Sequence, residues 1–149
     1  HRRKEKRVVS GLQRGGHAKY HRDKGLKAMK NNESIAKVMD YKANQYESTG
    51  KYIRAQTMKT AASKTRNTGE KIKNEENQYS TQLERISKES KQKVTDYATK
   101  KKIDLGKEHV NRILRESKNK GYDEAARNDE RQKIENVRAV LGAIQSLAG

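Results

Sequence analysis

The sequence predicts an all-α protein built of extended long helices with little private core, ordered by oligomerisation and preceded by a basic irregular arm. Three observations predict it. None of the 149 residues is proline, cysteine, phenylalanine or tryptophan; proline normally supplies about 5% of a chain, and its absence suits long helices better than loops. Apolar residues recur at helical spacing, whereas Val8-Val9 is the single adjacent pair of β-branched aliphatics, too little for a sheet. Leu, Ile and Val together number 22, and 36 Lys+Arg against 19 Asp+Glu leave a net charge of +17. That apolar share lies below the ~20% at which a highly charged chain is expected to be disordered alone, so its order is expected to come from other copies or a polyanion.

Five segments follow in order. Residues 1–25 hold Gly11, Gly15, Gly16 and Gly25 among most of the eleven Lys/Arg of the first thirty residues. Backbone freedom at four glycines opposes a continuous helix, so this is the arm. Its first residue is His1 rather than Met, so a processed or truncated chain is expected. Residues 26–68 carry Leu26, Met29, Ile35, Val38, Met39, Tyr46 and Ile53 at helical spacing, with Asn31, Asn32 and Ser34 as candidate caps, Gly50 as a weak interruption and Thr68-Gly69 as the stronger one. Residues 70–105 read as one long helix. Ile72, Leu83, Val94 and Leu105 are eleven apart, and Ile86 and Tyr97 repeat the step. Eleven residues in three turns implies a nearly straight seam, about 54 Å long at 1.5 Å per residue, that needs neighbouring rods.

Gly106 bends or ends that helix. Residues 107–120 form a short helix with Val110, Ile113 and Leu114, stopped by the Asn119-Lys120-Gly121 turn signal. Residues 122–149 start at the cap Asp123 and form an amphipathic helix, in which Ile134, Val137, Leu141, Ile144 and Ala148 alternate by three and four, widened by Val140, Ala143 and Leu147. No charge follows Arg138, yet the run AVLGAIQSLAG is about 16 Å as helix, too short to cross a bilayer core of ~30 Å. An oligomer seam through Ile72, Leu83, Val94, Leu105, Ile134, Val137, Leu141 and Ile144 is expected, with possible membrane contact by the C-terminal run as the other reading. No signal-type segment is seen.

Enzyme chemistry is not expected. Without cysteine there is no disulfide, thiolate metal site or cysteine nucleophile. His17 and His21 are four apart, as a helical metal pair would be, but Lys19, Arg22 and Lys24 crowd them and Asp23 is the nearby carboxylate. His109 beside Glu108 lacks the second histidine of a zinc-protease helix, and neither Gly106-Lys107 nor Thr68-Gly69-Glu70-Lys71 matches a phosphate loop. The pairs Glu75-Glu76 and Asp129-Glu130 lie on polar stretches that offer no dry cleft to shift a carboxyl. Catalytic residues, metal ligands and cofactors are therefore none.

Polyanion binding is the better chemical case, because a cationic chain releases counterions when it meets phosphates. The candidates are Arg2, Arg3, Lys4, Lys6, Arg7, Arg14, Lys19, Arg22 and Lys24, in a first thirty residues whose net charge is +9. No base-reading motif accompanies them, so contacts go to backbone phosphates of DNA or RNA. Tyr46, Tyr79 and Tyr97 lie on or near the seams and are expected to pack between helices. A positive surface also suits anionic lipid or an acidic protein.

Proline-free text rich in Lys, Asn, Gln and Thr, as in YKANQYESTGKYIRAQTMKTAASKTRN and NEENQYSTQLERISKESKQKVTDYATKKK, ending in AVLGAIQSLAG, resembles the internal virion proteins of short-tailed bacteriophages. The resemblance covers residues 31–149 in style and carries over no functional residue. It implies a ring-forming helical homo-oligomer at the portal, in the virion interior, that contacts genomic DNA and assists its ejection. Two alternatives stand beside it: an RNA-binding component of a cytoplasmic ribonucleoprotein, and a membrane-surface helix bundle.

Overall fold

The computed structural model describes residues 2–102 and 106–148, with Arg2, Lys4 and Glu5 described by their backbone alone. The chain is all-α: α1 (Arg2–Ser48), α2 (Tyr52–Lys101) and α3 (Lys107–Ala148), of 47, 50 and 42 residues. It divides into two compact units, His21–Gln82 and His1–Tyr20 with Leu83–Gly149. Leu105 lies outside the described residues.

Most of the glycine and cap signals act differently from expectation. The segment expected as an irregular arm, 1–25, belongs to α1 from Arg2 onward, and α1 runs on past Asn31, Asn32 and Ser34 without a break. Thr68-Gly69 lies inside α2, and Asn119-Lys120-Gly121 and Asp123 lie inside α3. Of the long helix expected over 70–105, residues 70–101 are the second part of α2, and the two segments expected over 107–120 and 122–149 lie in one helix as far as Ala148. Glycine costs a helix about 1 kcal/mol relative to alanine, which close packing of the neighbouring helix can offset.

The chain turns instead at Gly50, the weaker signal. Its φ of +77° is the left-handed conformation, the Gly50 amide donates to the Glu47 carbonyl at 3.1 Å and the Lys51 amide to Tyr46 at 2.8 Å. These paired bonds satisfy the last carbonyls of α1 and reverse the chain. The second break comes before Gly106: α2 ends at Lys101, where Lys102 takes a left-handed φ of 52° and its amide donates to the Thr99 carbonyl at 3.2 Å, while the Gly106 carbonyl accepts from the Val110 amide at 3.2 Å at the start of α3.

In the unit His21–Gln82, α1 and α2 form an antiparallel hairpin. The buried positions are small: Gly25, Ala36 and Ala43 on α1, and Ala55, Ala62, Gly69 and Ser80 on α2. A Cβ on Gly25 would lie 3.1 Å from Lys73 Cα, and one on Gly69 3.3 Å from Met29 Cα, so the backbones touch where side chains are missing. Asn32 Nδ2 donates to the Thr65 carbonyl at 3.0 Å, so a residue expected to cap a helix ties two helices together. Ala55, Ala62 and Gly69 are seven apart, the heptad step of a left-handed pair. Gly25 to Ala36 and Gly69 to Ser80 are steps of eleven, so both periods occur in this hairpin, carried by small residues rather than by the large apolar ones of the expected seam.

In the other unit, the first stretch of α1, the second half of α2 and α3 pack as three helices. Gly11 faces Ser90 and Gly15 faces Ser87, which sets α1 and α2 antiparallel. α3 runs with α1, Leu12 sharing a groove with Leu114 and Arg115 while His17 faces Glu124; a Cβ on Gly121 would lie 2.7 Å from the Gln13 carbonyl carbon, and one on Gly16 would collide with the Lys118 carbonyl oxygen. Gly16 and Gly121 thus mark a backbone-to-backbone crossing. Leu12, Ala18, Leu83, Ser87, Ser90, Ala98, Ser117 and Ala125 complete the buried set.

The expected seam residues divide three ways. Leu83 is buried within the chain at 4% exposure, and Ile72 and Val94 are half-buried. Ile134, Val137, Leu141 and Ile144 are exposed, as is every residue from Arg131 to Ala148. Ile53, expected on the first stripe, is 87% exposed. Of the three tyrosines expected on seams, Tyr46 is half-buried, while Tyr79 and Tyr97 are exposed.

Candidate nucleic-acid interface

Helicity of the basic segment changes what its cations can do. On a flexible arm they would settle independently; on α1 each takes a fixed direction, with 1.5 Å of rise per residue. Arg3, Lys6 and Arg7 are exposed near the start of α1. Arg14 is half-buried and its guanidinium donates to His17 Nδ1 at 3.3 Å. The ammonium of Lys19 stands 5.6 Å from the centre of the Tyr122 ring, which in turn meets Tyr20 edge-on at 5.4 Å. The side chains of Arg2 and Lys4 lie outside those described.

The remaining two candidates belong to the unit His21–Gln82. Arg22 is exposed there. Lys24 is half-buried, 3.9 Å from Glu76 Oε1, an ion pair that competes with a phosphate for it.

The two histidines four residues apart do not converge. His17 Nε2 lies 3.5 Å from Glu124 on α3, while His21 Nδ1 bonds Glu76 on α2 at 2.7 Å and packs edge-on against Tyr79. Carboxylates distant in sequence, Glu124 and Glu76, thus face the two rings. Among the described residues no group of three His, Asp or Glu could hold a metal ion. No helix is long and apolar enough to cross a membrane among the same residues.

An ion-pair cluster centred on Arg66 ties the two helices of the hairpin unit together. Arg66 Nε donates to Glu33 Oε2 at 2.8 Å and Nη2 to Asp40 Oδ2 at 2.7 Å. The hydrogen bond from Arg66, ahead of its charge, holds the Glu33 carboxyl below its ordinary range, and the two carboxylates push the guanidinium up. A carboxyl lowered on folding adds stability above its unfolded value and loses it as pH falls through the lowered one. The thermal midpoint of Arg66→Gln is therefore expected below wild type at neutral pH, with the gap closing on acidification through the carboxylate range. A gap that stays constant across that range would show that Glu33 takes no part.

Four cations that sequence reasoning passed over stand together in the three-helix unit. Lys88 and Lys91 of α2 and Arg115 and Lys118 of α3 line a groove whose floor holds Leu12 and Gly15 of α1 and Leu114 of α3. The signal was the i, i+3 spacing of each pair, which places both members on one helix face. Nothing in the sequence showed that the two faces meet.

Comparison with protein-family models, curated proteins and solved structures finds no match to this chain.

Proposed function

We propose that the chain is a non-enzymatic structural subunit of a large assembly, of the internal-virion kind its sequence resembles, that self-associates through the distal half of α3 and contacts DNA through backbone phosphates. The observation that carries this reading is the bare end of α3. From Arg131 to Ala148 every residue is exposed, including Ile134, Val137, Val140, Leu141, Ile144 and Leu147, at up to 89%. An isolated helical stretch of this length is marginal in water. Its three-four stripe is the seam that a second helix covers, each buried aliphatic side chain contributing about 1.5–3 kcal/mol.

Arg131, Lys133 and Arg138 lie three or four residues from stripe positions and so border the seam. Two copies bring these cations together, so self-association competes with like-charge repulsion. Salt screens repulsion within a Debye length of about 10 Å at 0.1 M, and nucleic acid neutralises it. This links the two halves of the proposal: the polyanion that the +17 chain attracts also permits its subunits to meet.

The test is the native mass of the 17.1 kDa chain by light scattering across a salt series. Multiples of the subunit mass, rising with salt, are expected for wild type, and a monomer for Leu141→Asp/Ile144→Asp. A wild-type monomer at every salt concentration, with and without DNA, would sink the assembly reading. Copurifying nucleic acid decides the setting: DNA supports it, and stoichiometric RNA moves the protein to the ribonucleoprotein alternative.

A further inference from the structure

We propose that the groove between α2 and α3 in the three-helix unit is a seat for the phosphodiester backbone of a nucleic-acid strand, a site separate from the α1 cations. The proposal rests on the reading above that the chain contacts nucleic acid. Lys88, Lys91, Arg115 and Lys118 line a groove of about 550 Å³ in which Glu84 is the one carboxylate. None of the four cations makes an ion pair among the described residues, and four positive charges against the one negative charge of Glu84 leave the groove net positive. Like charges brought together oppose folding, and an anion along the groove removes that penalty.

The arrangement favours a strand over a compact anion. Each wall carries two cations three residues apart, about 4.5 Å along its helix axis. Two such rows follow a linear polyanion with regularly repeated charges, whereas a single phosphate group calls for donors converging on one point. The walls are helices held on α1 by the contact of Gly15 with the Ser87 side chain on one side and by the backbone-close crossing at Gly16 and Gly121 on the other. The rows are therefore pre-set, and binding costs little ordering of the backbone. The apolar floor from Leu12 and Leu114 gives sugar edges a surface without competing acceptors. Contacts of this kind position a strand and carry no base sequence.

The experiment compares Lys88→Gln/Lys91→Gln/Arg115→Gln/Lys118→Gln with a control that removes the same charge from exposed sites in the other unit, Lys27→Gln/Lys42→Gln/Lys64→Gln/Lys71→Gln. Binding of a 20-nucleotide oligothymidylate and of a 20-residue polyglutamate is followed by fluorescence anisotropy over a salt series. Circular dichroism checks that each variant keeps its helix content. The groove variant is expected to bind the oligonucleotide at least tenfold more weakly, with a log–log salt slope shallower by up to about 2.8, at ~0.7 for each single-strand phosphate that a cation no longer neutralises. The control is expected to change the slope by less than about 1. Equal losses in the two variants overturn the groove assignment while leaving nucleic-acid binding intact. A larger loss for polyglutamate than for the oligonucleotide overturns it in favour of an acidic protein. Wild type that fails to bind the oligonucleotide even at low salt overturns the underlying nucleic-acid reading itself. Should the fourfold variant lose helix content, the pairs Lys88→Gln/Lys91→Gln and Arg115→Gln/Lys118→Gln are measured separately, each expected to shift the slope by about half as much.

Discussion

Gly121→Ala is expected to destabilise the three-helix unit by about 3 kcal/mol, the upper end of the usual cost of over-packing a tight contact. The added methyl would meet the carbonyl of Gln13, reaching 2.7 Å from its carbon and 3.0 Å from its Cα. These are backbone atoms of another helix, so no rotamer change relieves the collision and α1 and α3 must move apart. Gly142→Ala is the matched control, because nothing lies within 4 Å of a Cβ built there. It is expected to stabilise by roughly 0.5–1 kcal/mol, the ordinary helix gain of alanine over glycine. Urea denaturation followed by circular dichroism reads both. If Gly121→Ala behaved like Gly142→Ala, the α1–α3 crossing would be wrong.

Leu83→Ala is expected to cost about 2–4 kcal/mol, since it empties the site of a Leu that is 4% exposed. Ile86→Ala, three residues on and 43% exposed, is expected to cost under about 1 kcal/mol, because much of its surface already meets water. The pair discriminates between two periods for the same helix. An eleven-residue seam treats Leu83 and Ile86 as neighbouring lines of one contact, whereas burial at Leu83, Ser87, Ser90 and Ala98 makes Ile86 an outer residue. Equal losses in the two variants would restore the straight seam.

The size of the contacting residues explains how much of the fold could be read from the sequence alone. Counting large apolar side chains found Ile72, Leu83, Val94 and Leu105 and missed the hairpin contact, because that contact is made of Ala36, Ala43, Ala55, Ala62, Gly25 and Gly69. Small residues carry no hydropathy signal, yet they let helix axes approach until backbones touch. The same confusion affected glycine. Gly11, Gly15, Gly16, Gly69 and Gly121 looked like breaks, though four of them have another helix within 3 Å of where a Cβ would sit and Gly15 has the Ser87 hydroxyl there. A breaking glycine and a packing glycine look identical until the partner helix is placed.

The candidate site shows a similar division. Cations clustered in sequence near the start of α1 were legible from charge counting, as was the three-four stripe of Ile134, Val137, Leu141 and Ile144. The groove cations were not, because Lys88 and Arg115 are brought together by packing across a helix connection. His17 and His21 show the converse: their spacing suggested one site, and tertiary structure gives each a different carboxylate, Glu124 and Glu76.

The sequence by itself determined the all-α class, the lack of a large apolar core and the excess of positive charge. Each follows from composition or local spacing, and local backbone preference acts without a partner. Tertiary structure alone decided which glycines bend the chain and which close a helix crossing, and which lysines share a groove. It also decided that every residue from 131 to 148 is left exposed. Those outcomes depend on which faces come within contact distance, and burial of small residues against a neighbouring backbone leaves no periodic trace of large side chains to announce it.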